Sequence, residues 1–126
     1  MDNRELINLA KKAMENAYAP YSNFKVGAAA VGKNGEIYTG CNIENSSYGA
    51  TNCAERTAMF KGISEGEREF EKIAIVSTSQ DLTFPCGICR QVMAEFMGGG
   101  VVVLEDKDGE IKEFTVEDLI PKAFLL

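Results

Sequence analysis

The sequence predicts a three-layer α/β/α fold, in which helices cover both faces of a central, mixed, five-stranded sheet. Helix-type and strand-type segments alternate along the 126 residues in the order α-β-β-α-β-α-β-β-α, and such alternation is typical of this architecture. The composition, with 45% hydrophobic and 25% charged residues, is that of an ordinary globular protein. We expect one domain over residues 1–126, because a chain of this length leaves little room for a second.

The first third of the chain is predicted to form a helix and a β-hairpin, over residues 3–18, 24–31 and 36–41. Apolar residues recur at helical spacing in the first segment, which Asp2 or Asn3 can cap. Asn34–Gly35 is the two-residue turn signal expected between the strands of a hairpin. The small residues at 27–30, Gly-Ala-Ala-Ala, indicate that another element packs closely against the first strand.

The rest of the chain is predicted to alternate loops, helices and strands. These are a polar loop (42–52), a helix (53–64), a strand (72–77), a loop (81–85), a helix (86–97), two strands (101–104 and 110–114) and a short helix from residue 115. Thr51 or Asn52 is the expected cap of the helix over 53–64. Gly98–Gly100 ends the next helix, and Asp108–Gly109 turns the chain between the last two strands.

The charge distribution argues against a polymeric nucleic acid as partner. Thirteen basic and nineteen acidic side chains give a net charge of −6, and the densest basic stretch is only the pair Lys11–Lys12. No apolar run reaches the length of a membrane span, and the first residues lack the apolar centre of a signal peptide. We therefore expect a cytoplasmic protein that does not enter membranes and that acts on a small molecule.

Four cysteines and no histidine restrict the chemistry of any metal site to thiolates and carboxylates. In Cys53-Ala54-Glu55 and Pro85-Cys86-Gly87-Ile88-Cys89, the thiols lie at predicted helix starts, where free N–H groups favour thiolates. Three protein ligands are typical of catalytic zinc and four of structural zinc. Glu55 follows Cys53 by two residues and can reach a water at the open position. Three cysteines, a non-ligand Glu and a Pro-Cys-x-x-Cys run match the zinc-dependent deaminases.

Other interpretations of the cysteines stay open at this point. The pair Cys86 and Cys89 alone also fits a redox dithiol or half of a structural zinc knuckle. A structural four-thiolate module would need Cys41 as its last ligand, whereas Cys41 at the end of a strand also fits a small buried apolar residue. A structural module would hold its metal with four protein ligands, a catalytic site with three, and a redox dithiol would hold no metal.

Five stretches of the sequence resemble the small homotetrameric cytidine deaminases: AYAPYSNFKVGAA, GCNIENSSYG, NCAERTAMFKGISEG, PCGICRQ and LIPKAF. Cys-Ala-Glu stands where other members have His-Ala-Glu, which indicates the three-cysteine branch. The resemblance implies one Zn²⁺ per subunit, held by Cys53, Cys86 and Cys89. It further implies a homotetramer with active sites shared between subunits, and hydrolytic deamination of free cytidine and 2′-deoxycytidine in pyrimidine salvage.

The resemblance also assigns roles to residues around the reacting base. Glu55 would carry protons from the activated water to the ring nitrogen and to the departing amine. Arg56 would donate a hydrogen bond to a ligand thiolate and so restore the Lewis acidity of the metal. Phe24 would line the ring pocket, and the N–H of Ala54 would lie near the ring carbonyl. Phe84 departs from the family pattern, because many relatives have Ser or Thr there.

The remaining contacts implied by the resemblance concern the sugar and the neighbouring subunits. Asn42 and Glu44 would hydrogen-bond the ribose 3′-hydroxyl. Tyr48 and Phe124 resemble aromatic residues that family members lend to neighbouring active sites. The alternative functions are deamination of another aminopyrimidine nucleoside, such as a nucleoside antibiotic, and a structural zinc-binding module without catalysis.

Overall fold

The computed structural model, which describes residues 1–126, contains the helices and strands that the sequence predicts, in the same order. They are α1 (Asn3–Met14), β1 (Val26–Gly32), β2 (Ile37–Cys41), α2 (Ala54–Ser64), β3 (Phe70–Ser77), α3 (Gly87–Phe96), β4 (Val101–Glu105), β5 (Ile111–Thr115) and α4 (Val116–Leu119). A single 3-10 turn, Tyr48–Ala50, lies within the polar loop. None of the helices combines the length and apolarity that a membrane crossing requires.

The five strands form one mixed sheet in the order β2-β1-β3-β4-β5. Strands β3 and β4 are parallel, with Ala74 opposite Val103, and α3 connects them. The other three pairings are antiparallel, and the hairpin β1–β2 places Ala29 opposite Thr39. The predicted mixed, five-stranded sheet is therefore confirmed.

Two buried clusters lie on opposite faces of the sheet and confirm the three layers. Alternate residues of each strand point to opposite faces, so neighbouring alanines of β1 enter different clusters. The face under α1 contains Leu6, Ile7, Ala10, Ala29, Ala74, Val76 and Val103. The face under α2 and α3 contains, among others, Ala28, Ala30, Ala58, Met59, Ile73, Ile75, Cys89, Met93, Val102 and Leu104. The helix layer that carries the cysteines is thus distinct from the α1 layer.

Glycines on β1 and β2 allow both helix layers to approach the sheet closely, and the small residues at 27–30 predict this for β1. A Cβ on Gly27 would lie 2.1 Å from the carbonyl oxygen of Ala10 in α1. A Cβ on Gly40 would lie 2.5 Å from the backbone nitrogen of Ala58 in α2. Both distances are shorter than any side chain tolerates, so only glycine fits between strand and helix.

Two local expectations about helix ends are wrong. Helix α1 ends at Met14 instead of residue 18, because Tyr18 pairs in an extended conformation with the 42–44 segment. The N–H of Tyr18 donates to the carbonyl of Asn42 at 3.0 Å, and the carbonyl of Tyr18 accepts from Glu44. The N-cap of α2 is Cys53, not Thr51 or Asn52. Of the two predicted caps of α1, Asp2 is the one used, in a capping box with Glu5.

A buried carboxylate that sequence reasoning missed ties the hairpin turn to the α2–β3 connection. Glu67, which is 9% exposed, accepts hydrogen bonds from the N–H groups of Asn34, Arg68 and Glu69. These bonds, first the one from Glu69, hold the pKa of the Glu67 carboxyl below its usual range. Glu67 therefore stabilises a part of the fold that is distant from the cysteines. Sequence reasoning missed it because its partner Asn34 lies far away along the chain and no local pattern predicts this pairing.

Candidate zinc centre and active site

The three predicted metal ligands lie at the N-termini of two helices on the same face of the sheet. Cys53 is the N-cap of α2, Cys86 is the N-cap of α3, and Cys89 lies in the first turn of α3. Both caps have extended backbone conformations, and neither thiol bonds to the free N–H groups of its own helix. The sulfur atoms are therefore available to one another, in the positive field of two helix ends.

The thiols of Cys53, Cys86 and Cys89 converge on one point. Their sulfur atoms all lie within 4.8 Å of one another, and the Sγ atoms of Cys53 and Cys86 are 3.6 Å apart. Tetrahedral zinc with Zn–S bonds of about 2.3 Å places sulfur atoms roughly 3.8 Å apart, so zinc fits this donor set. Exposure rises from the buried Cys89 through the half-buried Cys53 to the exposed Cys86. One side of the site is therefore open.

Cys41 lies outside this thiol group. It is half-buried at the end of β2, where it pairs with Gly27 across the sheet, and burial raises the pKa of its thiol. The metal-binding group contains three thiols, which is the number typical of catalytic zinc; a structural site has four protein ligands. The geometry thus favours the catalytic interpretation over the four-thiolate module.

Arg56 contacts the thiol group directly. Its Nη2 donates to the Sγ of Cys53 at 3.3 Å, while its buried Nε has no hydrogen-bond partner. Burial opposes the charge of Arg56, but hydrogen bonds to Cys53 and Cys89 outweigh burial and raise its pKa. A hydrogen bond from Cys89, with further help from Arg56, lowers the pKa of Cys53 to about 5. The Cys53 thiol therefore carries negative charge more readily than an ordinary cysteine does.

Glu55 is buried in the first turn of α2, beside the cysteines. Only 4% of the residue is exposed, and this burial raises the pKa of its carboxyl to about 7. Its neighbour Ala54 is completely buried and occupies the first helical position, whose N–H has no acceptor within the helix. A buried carboxyl and a free backbone donor thus lie next to the thiol group.

Two polar side chains of the 42–44 segment organise the neighbouring loop. The Oδ1 of Asn42 accepts from the N–H of Val26 and its Nδ2 donates to the carbonyl of Phe24, both at 2.8 Å. Glu44 accepts from the N–H groups of Tyr21 and Ser22 at 2.9 and 3.2 Å, and from the hydroxyl of Ser22. The Ser22 hydroxyl in particular keeps the pKa of Glu44 below its usual range.

Comparison with known proteins supports the chemistry of this site. The model of the family described as the cytidine and deoxycytidylate deaminase zinc-binding region matches residues 1–105. A cytidine deaminase of Sporosarcina psychrophila is 54% identical over 125 residues, which cover 98% of this chain and 92% of that protein. The chain belongs to the cytidine deaminase family. It is therefore a deaminase with a zinc-binding site.

The chain is also similar to a solved cytidine deaminase and, at lower identity, to a deaminase of another name. The crystal structure of cytidine deaminase from Burkholderia pseudomallei has a TM-score of 0.93 at 49% identity, and covers 98% of this chain and 100% of that chain. A blasticidin-S deaminase of Bacillus cereus is 30% identical over 128 residues, covering 95% of this chain and 90% of that protein. The fold is thus that of a cytidine deaminase.

Three aromatic residues assigned from the cytidine deaminase resemblance lie on the surface of the chain. Phe24 is 39%, Tyr48 is 82% and Phe124 is 71% exposed. Tyr48 and Glu44 help to line a cavity of about 200 Å³, together with Tyr21, Ser22, Asn45 and Thr51. Phe124 is held through its backbone carbonyl, which accepts from Gln91 at 2.7 Å. Tyr48 and Glu44 therefore line the same cavity, whereas the ring of Phe124 is exposed to solvent.

Sequence reasoning missed the side chains that support the site residues. The hydroxyl of Ser22 donates a hydrogen bond to the carboxylate of Glu44. Asn23, which follows Ser22, adopts the left-handed backbone conformation with φ 58°. Thr57 donates to the carbonyl of Cys53 at 3.1 Å and accepts from the side chain of Asn52 at 3.0 Å. The Tyr-Ser-Asn turn and the spacing of Thr57 four residues after Cys53 were the available signals.

Proposed function

We propose that this protein catalyses the hydrolytic deamination of free cytidine and 2′-deoxycytidine to uridine and 2′-deoxyuridine, with release of ammonia. The observation that carries the proposal is the convergence of three thiols at two helix N-termini, with the buried Glu55 in the first turn of α2. The high identity to proteins named cytidine deaminase supports the choice of nucleoside. Pyrimidine salvage in the cytoplasm stays a prediction.

The proposed chemistry assigns each step to a residue of the chain. Cys53, Cys86 and Cys89 would hold the zinc ion, which would supply Lewis-acid activation of water at neutral pH. Glu55 accepts one proton from the attacking water and delivers it to N3 of the ring, as the C4–O bond forms. Glu55 then carries the second proton to the amine, so that the C4–N bond breaks and ammonia leaves. The Ala54 N–H holds the ring carbonyl, and Arg56 neutralises part of the thiolate charge.

The first experiment replaces Glu55 and compares it with a matched glutamate. Glu55→Gln should keep its zinc but lose turnover by at least about 10²-fold, because no carboxylate remains to move protons. Glu117→Gln is the control, since Glu117 also lies in the first turn of a helix but is exposed. Cytidine loss is followed by ultraviolet absorbance, and zinc by metal analysis. Near-normal turnover of Glu55→Gln would exclude Glu55 from the mechanism.

We further propose that Asn42 and Glu44 bind the ribose 3′-hydroxyl. A carboxylate offers about four acceptor positions, and three positions on Glu44 are occupied by Tyr21 and Ser22. One position remains for a hydroxyl donor. Since a hydrogen bond to a charged group contributes about 1.5–3 kcal/mol, 2′,3′-dideoxycytidine should react with at least about tenfold lower kcat/KM than 2′-deoxycytidine.

A substrate panel separates this proposal from its nearest rival. Cytidine, 2′-deoxycytidine, 2′,3′-dideoxycytidine and blasticidin S are compared at equal enzyme concentration. Faster deamination of blasticidin S than of cytidine would favour the antibiotic-deaminase alternative. Equal kcat/KM for the dideoxy and deoxy substrates would contradict the roles of Asn42 and Glu44.

We also propose a homotetramer in which Tyr48 and Phe124 complete the active sites of neighbouring subunits. The support is their exposure, which is unusual for large aromatic rings, together with the exposed Ile88 beside Cys89. Phe124→Ala should then lose activity, and mixing it with Glu55→Gln should restore part of that activity, because some hybrid sites contain both native residues. Light scattering gives the subunit number, and a monomer with full activity would refute the shared site.

A further inference from the structure

Two consecutive side chains in the first half of α3 bind backbone carbonyl groups outside that helix. Arg90 donates from Nε to the carbonyl of Pro85 and from Nη1 to the carbonyl of Leu119, both at 2.8 Å. Gln91 donates from Nε2 to the carbonyl of Phe124 at 2.7 Å. Arg90 directly follows Cys89, so the helix turn that carries a thiol also binds the C-terminal segment.

The Pro85 carbonyl belongs to the peptide that joins Pro85 to Cys86. Pro85 is buried, and the side chain of Arg90 is the hydrogen-bond donor to its carbonyl in this structure. A buried carbonyl without a partner costs about 1–3 kcal/mol, so Arg90 determines how this peptide is oriented. The orientation of the same peptide determines the direction in which the Cys86 side chain leaves the backbone.

The Leu119 carbonyl anchors the other end of the Arg90 side chain. Leu119 ends α4, where the last carbonyls of a helix lack partners within the helix. Leu119 packs against the buried cluster under α2 and α3, and Val116 of α4 is part of that cluster. The planar guanidinium thus spans two carbonyls, one next to a thiol ligand and the other on a packed element.

We propose that Arg90 is a positioning residue for the zinc ligand Cys86, which it orients by fixing the Pro85 peptide against Leu119. The inference rests on the proposed zinc chemistry and assigns Arg90 a different action from Arg56. Arg56 donates to a thiol, whereas both side-chain hydrogen bonds of Arg90 go to carbonyls. Arg90 acts through geometry, and a positive charge alone does not replace it.

Zinc affinity measures this positioning directly. Arg90→Met removes both the planar guanidinium group and its charge. Arg90→Lys keeps the positive charge, but a single ammonium group cannot span the carbonyls of Pro85 and Leu119. Both variants should bind zinc about 10–100-fold more weakly than the wild type, the range for groups that orient metal ligands. The dissociation constant is measured by competition with a chromophoric chelator, alongside the unfolding midpoint of the zinc-free protein.

Arg68→Met is the matched control. Arg68 also donates to two carbonyls, those of Ile63 and Glu67, at 2.8 and 3.0 Å, but at the far end of α2. Its zinc affinity should stay within about twofold of the wild type, since no ligand peptide is touched. A loss of zinc affinity in Arg68→Met equal to that in Arg90→Met would show a general stability effect and overturn the inference.

The remaining outcomes are decisive in the same way. Wild-type zinc affinity in Arg90→Lys would show that charge, not geometry, matters, and would overturn the inference. Unchanged affinity in Arg90→Met would also overturn it; if that variant does not fold, Arg90→Lys, which keeps the aliphatic stem, decides alone. A wild-type protein that binds no zinc would overturn the proposed function as well. Tight zinc binding by wild type and Arg90→Met together would overturn this inference only.

Discussion

Substituting alanine for Gly40 tests whether the close packing of β2 against α2 positions the active-site residues of that helix. Gly40 lies buried on β2, directly under α2, the helix that begins at Cys53 and carries Glu55. A Cβ at Gly40 would lie 2.5 Å from the backbone nitrogen of Ala58 and 2.9 Å from the carbonyl carbon of Thr57. Because these are helix backbone atoms, no side-chain rotation relieves the contact.

The size of the effect follows from these distances. Ordinary contact begins at 3.4 Å, so Gly40→Ala must displace α2 by about 0.9 Å. Extra methyl groups in packed cores cost about 1–3 kcal/mol, partly offset by about 0.4–1 kcal/mol from the stiffer unfolded chain. We expect a net loss of about 1–2 kcal/mol of unfolding free energy. A shift of about 1 Å at Glu55 should also lower kcat by up to about 10²-fold.

Urea unfolding and the ultraviolet assay measure the two effects separately. Gly99→Ala is the neutral control, because a Cβ there meets open space. Gly27→Ala presses on α1, on the opposite face of the sheet, and should lose stability while the folded fraction keeps its kcat. Unchanged stability of Gly40→Ala, or an equal loss of kcat in Gly27→Ala, would refute the reasoning.

Three further predictions concern pH, metal and capping. Hydrogen bonds from the N–H groups of Glu69, Asn34 and Arg68 lower the pKa of Glu67 in the folded protein. The contribution of Glu67 to the free energy of unfolding is therefore fully present above the unfolded pKa of about 4.3, and it is lost as pH falls through the lower folded pKa. The stability gap between wild type and Glu67→Gln should therefore close between pH 5 and pH 3 in urea titrations, and a constant gap would contradict this account. Cys53→Ala should lose its zinc while Cys41→Ala retains it, as metal analysis will show; equal retention would point to a different ligand set. Asp2→Ala should lower the unfolding free energy by about 0.5–2 kcal/mol, because the capping box is removed, and an unchanged melting temperature would argue against that box.

Features with local signals were predicted correctly from the sequence. Asn34–Gly35 forms the hairpin turn, with Gly35 at φ 87°. Thr115 caps α4 by accepting from the N–H of Asp118, three residues later. The two-residue gap between Cys86 and Cys89 lets one helix turn present both thiols. Each of these depends on residues within a few positions of one another, so the linear pattern is sufficient.

Errors in the predicted boundaries arise where distant segments compete with local preference. The helical pattern of residues 3–18 continues past Met14, but Tyr18 gains a bridge to Ile43 by leaving the helix. Thr51 and Asn52 have the side chains of good caps, yet Asn52 bonds Thr57 and pairs with Ile43 instead. Tertiary hydrogen bonds outweigh propensities of a few tenths of a kcal/mol per residue.

The sequence by itself determined the order of the elements, the three-layer class and the two motifs that carry the thiols and Glu55, because these depend on periodicity and short spacing. Only the tertiary structure decided that Cys41 stays apart from the other thiols, that Asn42 braces the start of β1, and that Arg90 reaches Leu119. Such partners are separated along the chain by up to tens of residues. Their contacts form only when the sheet and both helix layers are assembled.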